Sequence, residues 1–168
     1  MSGIFNPFNG TLVDGQLAFP ATQNASANAN TLDDYEEGNW TPVIGGSGGT
    51  SGQTYSVQVG KYVKIGQLVI ASFEVTLSAK GTITSNVQIQ GLPFTVLAAS
   101  TWIFSIGWYN LATSWVSIFA QNSNDGGTAF TVFGVSAAAT GMLGVTLLTA
   151  DIAANSLFRG TLIYRATA

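Results

Sequence analysis

The chain contains no cysteine and no histidine among its 168 residues. Without cysteine there is no disulfide to staple the fold and no thiol chemistry. Without histidine, Ser-His-Asp triads, His-ligated zinc and most general-base designs drop out together. Charge is nearly as scarce. There are five Lys and Arg and eight Asp and Glu, so charged residues make up 8% of the chain, against about 25% in ordinary soluble domains. A formal net charge of −3 leaves no basic patch for phosphate, which argues against nucleic acid and against anionic membrane surfaces. Long apolar runs are missing too. The window 135–154 comes nearest to a membrane span, but Ser136, Thr140, Gly141, Gly144, Thr146, Thr149 and Asp151 interrupt it, and it reads as loop plus strand. The opening MSGIFNPFNG has neither a basic n-region nor a long apolar stretch, so no signal peptide is expected.

Catalysis would have to rest on carboxylates alone. A glycosidase uses two of them, about 5–10 Å apart. Outside residues 33–37 the acidic residues are Asp14, Glu74, Asp125 and Asp151, and nothing pairs them by spacing. No catalytic residue, metal or cofactor is assigned, and the chain is expected not to be an enzyme. The Gly-rich segment GGSGGTSG at 45–52 is expected to be a flexible loop. It is not a phosphate loop, because no Gly-Lys-Ser/Thr follows it.

What is abundant is apolar and aromatic: 46% hydrophobic residues, with ten Phe, five Tyr and four Trp. That is ample for a sizeable core. With so few charges to cover the surface, the surplus points to oligomer interfaces.

The length fits one domain and an arm, divided as 1–30 and 31–168. In residues 1–30, Ile4, Phe5, Phe8, Leu12, Val13, Leu17 and Phe19 are spaced too irregularly for a helix or a strand, and Pro7 and Pro20 interrupt any regular element. An aromatic-rich arm with few charges is expected to dock, through Ile4, Phe5, Phe8, Leu12 and Phe19, on a neighbouring subunit.

From Trp40 onward the pattern is strand and turn. Val69, Ala71, Phe73, Val75 and Leu77 keep a period of two, the mark of one buried strand face. Ser72, Glu74 and Thr76 alternate with them. Lys80-Gly81 reads as a turn, and Val87 and Ile89 belong to another strand. Trp102 to Tyr109, Trp115 to Gln121 and Phe130 to Val135 continue the theme, with turns at 110–114 and 122–127. Many short strands and no helical period predict an all-β fold: an antiparallel β-sandwich or jelly-roll-like barrel behind an extended N-terminal arm. The first two of those three segments carry apolar residues at both parities, which suits burial on both faces. One face would serve the subunit core and the other a subunit contact, with Trp102, Trp108 and Trp115 as interface candidates. Trp102, Trp108, Tyr109 and Trp115 could instead stack against a sugar; their strand-like alternation favours core or interface.

The densest signal is TLDDYEEGNWTP at 31–42, which holds four of the eight acidic residues. Thr31 can cap a helical turn with Asp34 three residues on, Asp33 and Asp34 suit its first turn, and Gly38 can end it. The paired carboxylates Asp33, Asp34, Glu36 and Glu37 do not have the alternating ligands of a calcium loop. A solvated turn, or a partner for basic groups, is preferred over a cation site. Of the five cations, some among Lys61, Lys64, Arg159 and Arg165 are expected to meet this cluster in the same or an adjacent chain.

Leu32-Asp33-Asp34-Tyr35-Glu36-Glu37-Gly38, then Trp40-Thr41-Pro42, is followed by YSVQVGKYVKIG at 55–66, GLPF at 91–94 and a final strand-like segment FRGTLIY at 158–164. This set resembles a module of tail-fibre and other virion surface proteins of tailed bacteriophages, over roughly residue 31 to the C-terminus. The resemblance implies a trimeric β-rich module on a virion surface, assembled in the host cytoplasm, and names no chemistry. Two functions follow as expectations. The first is a capsid decoration or cement-type homotrimer that contacts other virion proteins through its arm. The alternative is a tail-fibre head that adheres to the bacterial surface, where a surface glycan is a possible partner.

Overall fold

The computed structural model describes residues 12–13, 16–17, 19, 22, 28, 32–99, 101–122, 126–136 and 144–167. In chain order the strands are β1 (Leu12–Val13), β2 (Gln16–Leu17), β3 (Tyr35–Trp40), β4 (Val43–Gly46), β5 (Gly49–Ser51), β6 (Thr54–Ile65), β7 (Leu68–Ala79) and β8 (Thr82–Thr84). They continue with β9 (Val87–Gln90), β10 (Ile103–Ser105), β11 (Gly107–Leu111), β12 (Ser117–Gln121), β13 (Ala129–Val135), β14 (Val145–Thr146) and β15 (Ile152–Arg165). A single 3₁₀ turn, Thr149–Asp151, is the helical element among the described residues. No helix there is long and apolar enough to cross a membrane.

Two antiparallel sheets form a β-sandwich. One runs β11-β15-β7-β6-β3; the other runs β10-β12-β13-β9-β4, with β14 also on β13. The long strands β6, β7 and β15 set the frame. β6 and β7 form a hairpin whose turn is Gly66-Gln67, and Gly66 takes φ +56° there, the backbone that such tight turns require of their first residue. Along β7, Val69, Ala71, Phe73, Val75 and Leu77 all point into the core, as their alternation predicts. Val87 and Ile89 of β9, Phe130 and Val132 of β13, and Phe158, Leu162 and Tyr164 of β15 meet them. Burying such a side chain is worth about 1.5–3 kcal/mol, and without a disulfide this core is what holds the fold.

The structure corrects four expectations. Residues 31–38 were expected to make a helical turn. Instead residues 35–40 are strand β3, which pairs along its length with β6, from Tyr35 opposite Ile65 to Trp40 opposite Gly60. The segment 45–52 is not a free loop: Gly45 and Gly46 end β4, and Gly49 begins β5, which pairs with β8. Gly46 N donates to Thr50 Oγ1 at 2.9 Å, and Ser47 N to Asn86 O at 2.9 Å, which ties the segment down. Trp102 to Tyr109 is not one strand. It breaks at the buried Ile106, so that β10 joins one sheet and β11 the other. Its even-numbered side chains face the core, while Ile103 and Tyr109 are exposed on the other parity. Finally, the arm residues at 12–13 and 16–17 do form strand, as a short ladder of β1 on β2, despite the irregular spacing of their apolar neighbours. Much of the rest of the arm, including Ile4, Phe5 and Phe8, lies outside the described residues, as do Asp14 and Asp125.

Candidate functional site

The acidic motif and its downstream echo are neighbouring strands. β3 pairs with β6 so that Tyr35 lies opposite Ile65, Gly38 opposite Tyr62 and Trp40 opposite Gly60. On the inner parity the two motifs interlock one residue at a time. Asp34 forms a buried ion pair with Lys64, and its carbonyl accepts the N–H of Gly66 at 2.9 Å. The ring of Tyr62 lies over Gly38, where a Cβ would sit 2.9 Å from its hydroxyl. Trp40 lies over Gly60 in the same way, at 2.6 Å from its indole nitrogen, and that nitrogen donates to Ser72 O at 3.1 Å. Gln58 Nε2 donates to Pro42 O at 2.9 Å. The glycines stand where an aromatic side chain needs the room, and the aromatics supply the cross-strand contact that glycine cannot.

The GLPF motif closes the same cluster. The Phe94 ring meets Tyr62 edge-on at 5.1 Å between centroids, and the Lys64 ammonium lies 5.3 Å from the Phe94 centroid, within cation–π range. Tyr164, from the C-terminal motif, donates its hydroxyl to Phe94 O at 3.1 Å. Burial pushes that hydroxyl well above the usual tyrosine range of 10. A fully buried lysine is rare; here a carboxylate and a ring face share the work of replacing water. Sequence reasoning expected a cation to meet the acidic cluster, and it does so within one chain. It missed that the pair is buried. The signal was the shared parity of Asp34, Gly38 and Trp40 with Gly60, Tyr62 and Lys64.

Tyr35 and Glu37 take the outward parity of β3, and Glu36, opposite Lys64, takes the inner one. Leu32 and Glu37 are exposed, and Asp33 and Glu36 are half-buried. Tyr35 donates its hydroxyl to Glu37 Oε2 at 2.9 Å; that bond to a carboxylate, with the carboxylate's charge, raises the Tyr35 pKa. The arm residue Phe19 packs on Tyr35 with centroids 6.4 Å apart, so the arm meets the domain at this corner. Leu12 lies in β1.

Outside the motif the carboxylates are scattered. Glu74 lies on the outer face of β7, opposite Val59 and Arg159. Asp151 closes the 3₁₀ turn by accepting Leu148 N at 2.7 Å. Among the described residues no three His, Cys, Asp or Glu side chains group to hold a metal ion.

The three tryptophan candidates are all half-buried against their own core. Trp102 sits at one end of β12, where its backbone N–H donates to Asn122 Oδ1 at 2.6 Å. Trp115 sits at the other end, its ring laid on the backbone of Gly134. Trp108 joins Trp115, but not Trp102, in one cleft, with Tyr109, Asn110, Thr113 and Ser114.

The outer face of the five-stranded sheet carries an arrangement no motif announces. Register places Tyr35, Ile65, Leu68 and Arg165 in one cross-strand row, and Glu37, Val63, Ile70 and Ile163 in the next. Tyr35, Ile65, Leu68, Ile70 and Ile163 are each between 39% and 44% exposed, so two adjacent rows form a contiguous apolar band. Glu37 flanks it on the β3 side and Arg165 on the β15 side. Beyond it lie Lys61, Ser72 and Thr161, then Glu74 and Arg159. No family model, curated protein or solved structure matches this chain.

Proposed function

We propose that the chain is a structural protein of a phage virion surface, a capsid decoration or cement-type homotrimer docked through its N-terminal arm. The observation that carries this reading is the apolar band on the outer face of the five-stranded sheet. A contiguous exposed apolar surface with a polar rim marks an interaction site. Its occupant in this reading is a second copy of the chain: the acidic flank at Glu37 and the basic flank at Arg165 are complementary between copies. Scarcity of charge supports the same conclusion, since the chain has few ionic groups to keep such a face solvated. The resemblance to virion surface modules, from roughly residue 31 to the C-terminus, supports the setting.

Phe19 on Tyr35 gives the arm its place. Phe19 meets the domain at the corner of the apolar band, which supports a role for the arm beside that face. Deleting residues 1–20 is expected to leave a folded trimer that no longer joins the particle, as read by particle composition after infection. Normal incorporation of the truncated chain would overturn the docking role. A second reading, a tail-fibre head that adheres to the cell surface, is favoured by the aromatic cleft at Trp108 and Trp115.

A further inference from the structure

A cleft formed by β11 and the loop that leads to β12 brings aromatic rings and uncharged hydrogen-bonding groups to open space. It has a volume of about 270 Å³ and is lined by Trp108, Tyr109, Asn110, Leu111, Thr113, Ser114 and Trp115. None of these carries a charge. The backbone that shapes it is unusual. Register with β15 slips between Tyr109 and Leu111, a bulge of the kind that re-aims side chains. At the slip Asn110 takes φ +54°, a left-handed conformation uncommon outside glycine and best tolerated by Asn. A fully buried serine holds it there: Ser156 Oγ donates to Asn110 O at 2.9 Å and accepts Ala153 N at 2.9 Å. The result turns the Tyr109 side chain outward, 66% exposed, while Trp108 on the opposite parity packs on the core. Across the cleft Trp115 is fixed by its seat on Gly134.

Two indoles, one exposed phenol ring, one leucine, an amide and two hydroxyls, with no ionised group, suit a ligand that is neutral, ring-shaped and rich in hydroxyls. A phosphate or carboxylate ligand would want a cation, and the cleft has none. An acyl chain would find the amide and hydroxyls a cost rather than a gain. A sugar ring offers an apolar C–H face to an aromatic side chain and a hydroxyl edge to Asn, Thr and Ser. The volume falls just below the range of about 300–1,000 Å³ usual for drug-sized sites, which suits one ring rather than an extended chain. We infer that the β11–β12 cleft binds the terminal ring of a neutral hexose or N-acetylhexosamine glycan, with Tyr109 as the stacking platform. The inference deepens the cell-adhesion reading by naming its ligand class, and rests on that reading for its setting; the cleft itself lies within one subunit.

The test is saturation-transfer NMR on the full chain. The probes are methyl α-mannoside, methyl α-glucoside, methyl β-galactoside and triacetylchitotriose. At least one should receive saturation, and Tyr109→Ala should lose the signal or weaken binding at least ten-fold. Tyr109→Phe, which keeps the ring, should retain it. Tyr109 is exposed, so both variants should fold, and their unfolding transitions check this. No saturation of any probe would overturn the proposal; so would transfer unchanged in Tyr109→Ala. Sedimentation of the same samples reads assembly separately.

Discussion

The β3–β6 ladder and the β11–β12 cleft draw on the same residue types, yet they are built in opposite ways. In the ladder the inward-facing rings are spent on the chain itself: Trp40 on Gly60, Tyr62 on Gly38, Phe94 on Tyr62 and Lys64. In the cleft the backbone is bent so that Tyr109, Asn110 and the hydroxyls of Thr113 and Ser114 are left toward solvent. The ladder carries the residues that look like a motif, and the cleft carries none of them. The inward-facing motif residues therefore specify the register of a sheet, while their outward-facing neighbours Tyr35, Ile65 and Ile163 join the apolar band. The cleft lies where no motif points.

The comparison breaks most readily at the buried ion pair. Asp34→Ala or Lys64→Met leaves one charge buried without its partner and should cost about 3–5 kcal/mol, seen as a lower urea midpoint. Asp34→Leu combined with Lys64→Met should recover most of that loss, because two apolar side chains need no partner. A double variant no better than the singles would show that the pair does more than neutralise charge. Next in size is Gly60→Ala. A methyl group 2.6 Å from the Trp40 indole forces the ring to move and should cost about 1–3 kcal/mol.

Tyr164→Phe is smaller still. It removes the hydroxyl bond to Phe94 O and should cost about 0.5–1.5 kcal/mol near neutral pH. It also changes the alkaline response. The folded-state pKa of Tyr164 lies above the ordinary value of 10, so the unfolded chain gives up the proton first. Its contribution is intact below pH 10 and is lost as pH rises from there toward the folded value. The wild type should therefore weaken more steeply above pH 10 than Tyr164→Phe, measured by urea unfolding across that range. Smallest is Tyr109→Ala, which should shift stability by no more than about 0.5 kcal/mol. A large loss there would mean that the cleft, like the ladder, is part of what holds the fold.

How much of this was legible follows from which interactions are local. The alternation along Val69 to Leu77 fixes a strand face by itself, so β7 and its burial could be read directly. The turn at Lys80-Gly81 could be read too, and Gly81 has φ +58°. The residues 31–38 misled because Ser, Thr and Asp types that cap a helix serve equally at the entry to a strand. What decides between them is the register against residues 60–66, a contact between positions about 30 apart in sequence. Trp102 to Tyr109 misled for a related reason: a period of two says nothing of a switch between sheets at Ile106. The apolar band was beyond reach of any single segment, because Tyr35, Ile65, Leu68, Ile70 and Ile163 come from four strands. The two-sided apolar pattern that suggested a subunit contact drew attention to Trp102, Trp108 and Trp115, which pack largely on their own core.

The central claim is that the outer face of the five-stranded sheet is covered by other copies of the chain. Sedimentation equilibrium of the full chain, beside Ile70→Lys, tests it most directly. The substitution places a charge in the middle of the band while leaving the core untouched. The account predicts a trimer for the wild type and a folded monomer for Ile70→Lys. A wild-type protein that sediments as a single chain, or a trimer that survives Ile70→Lys unchanged, would contradict it.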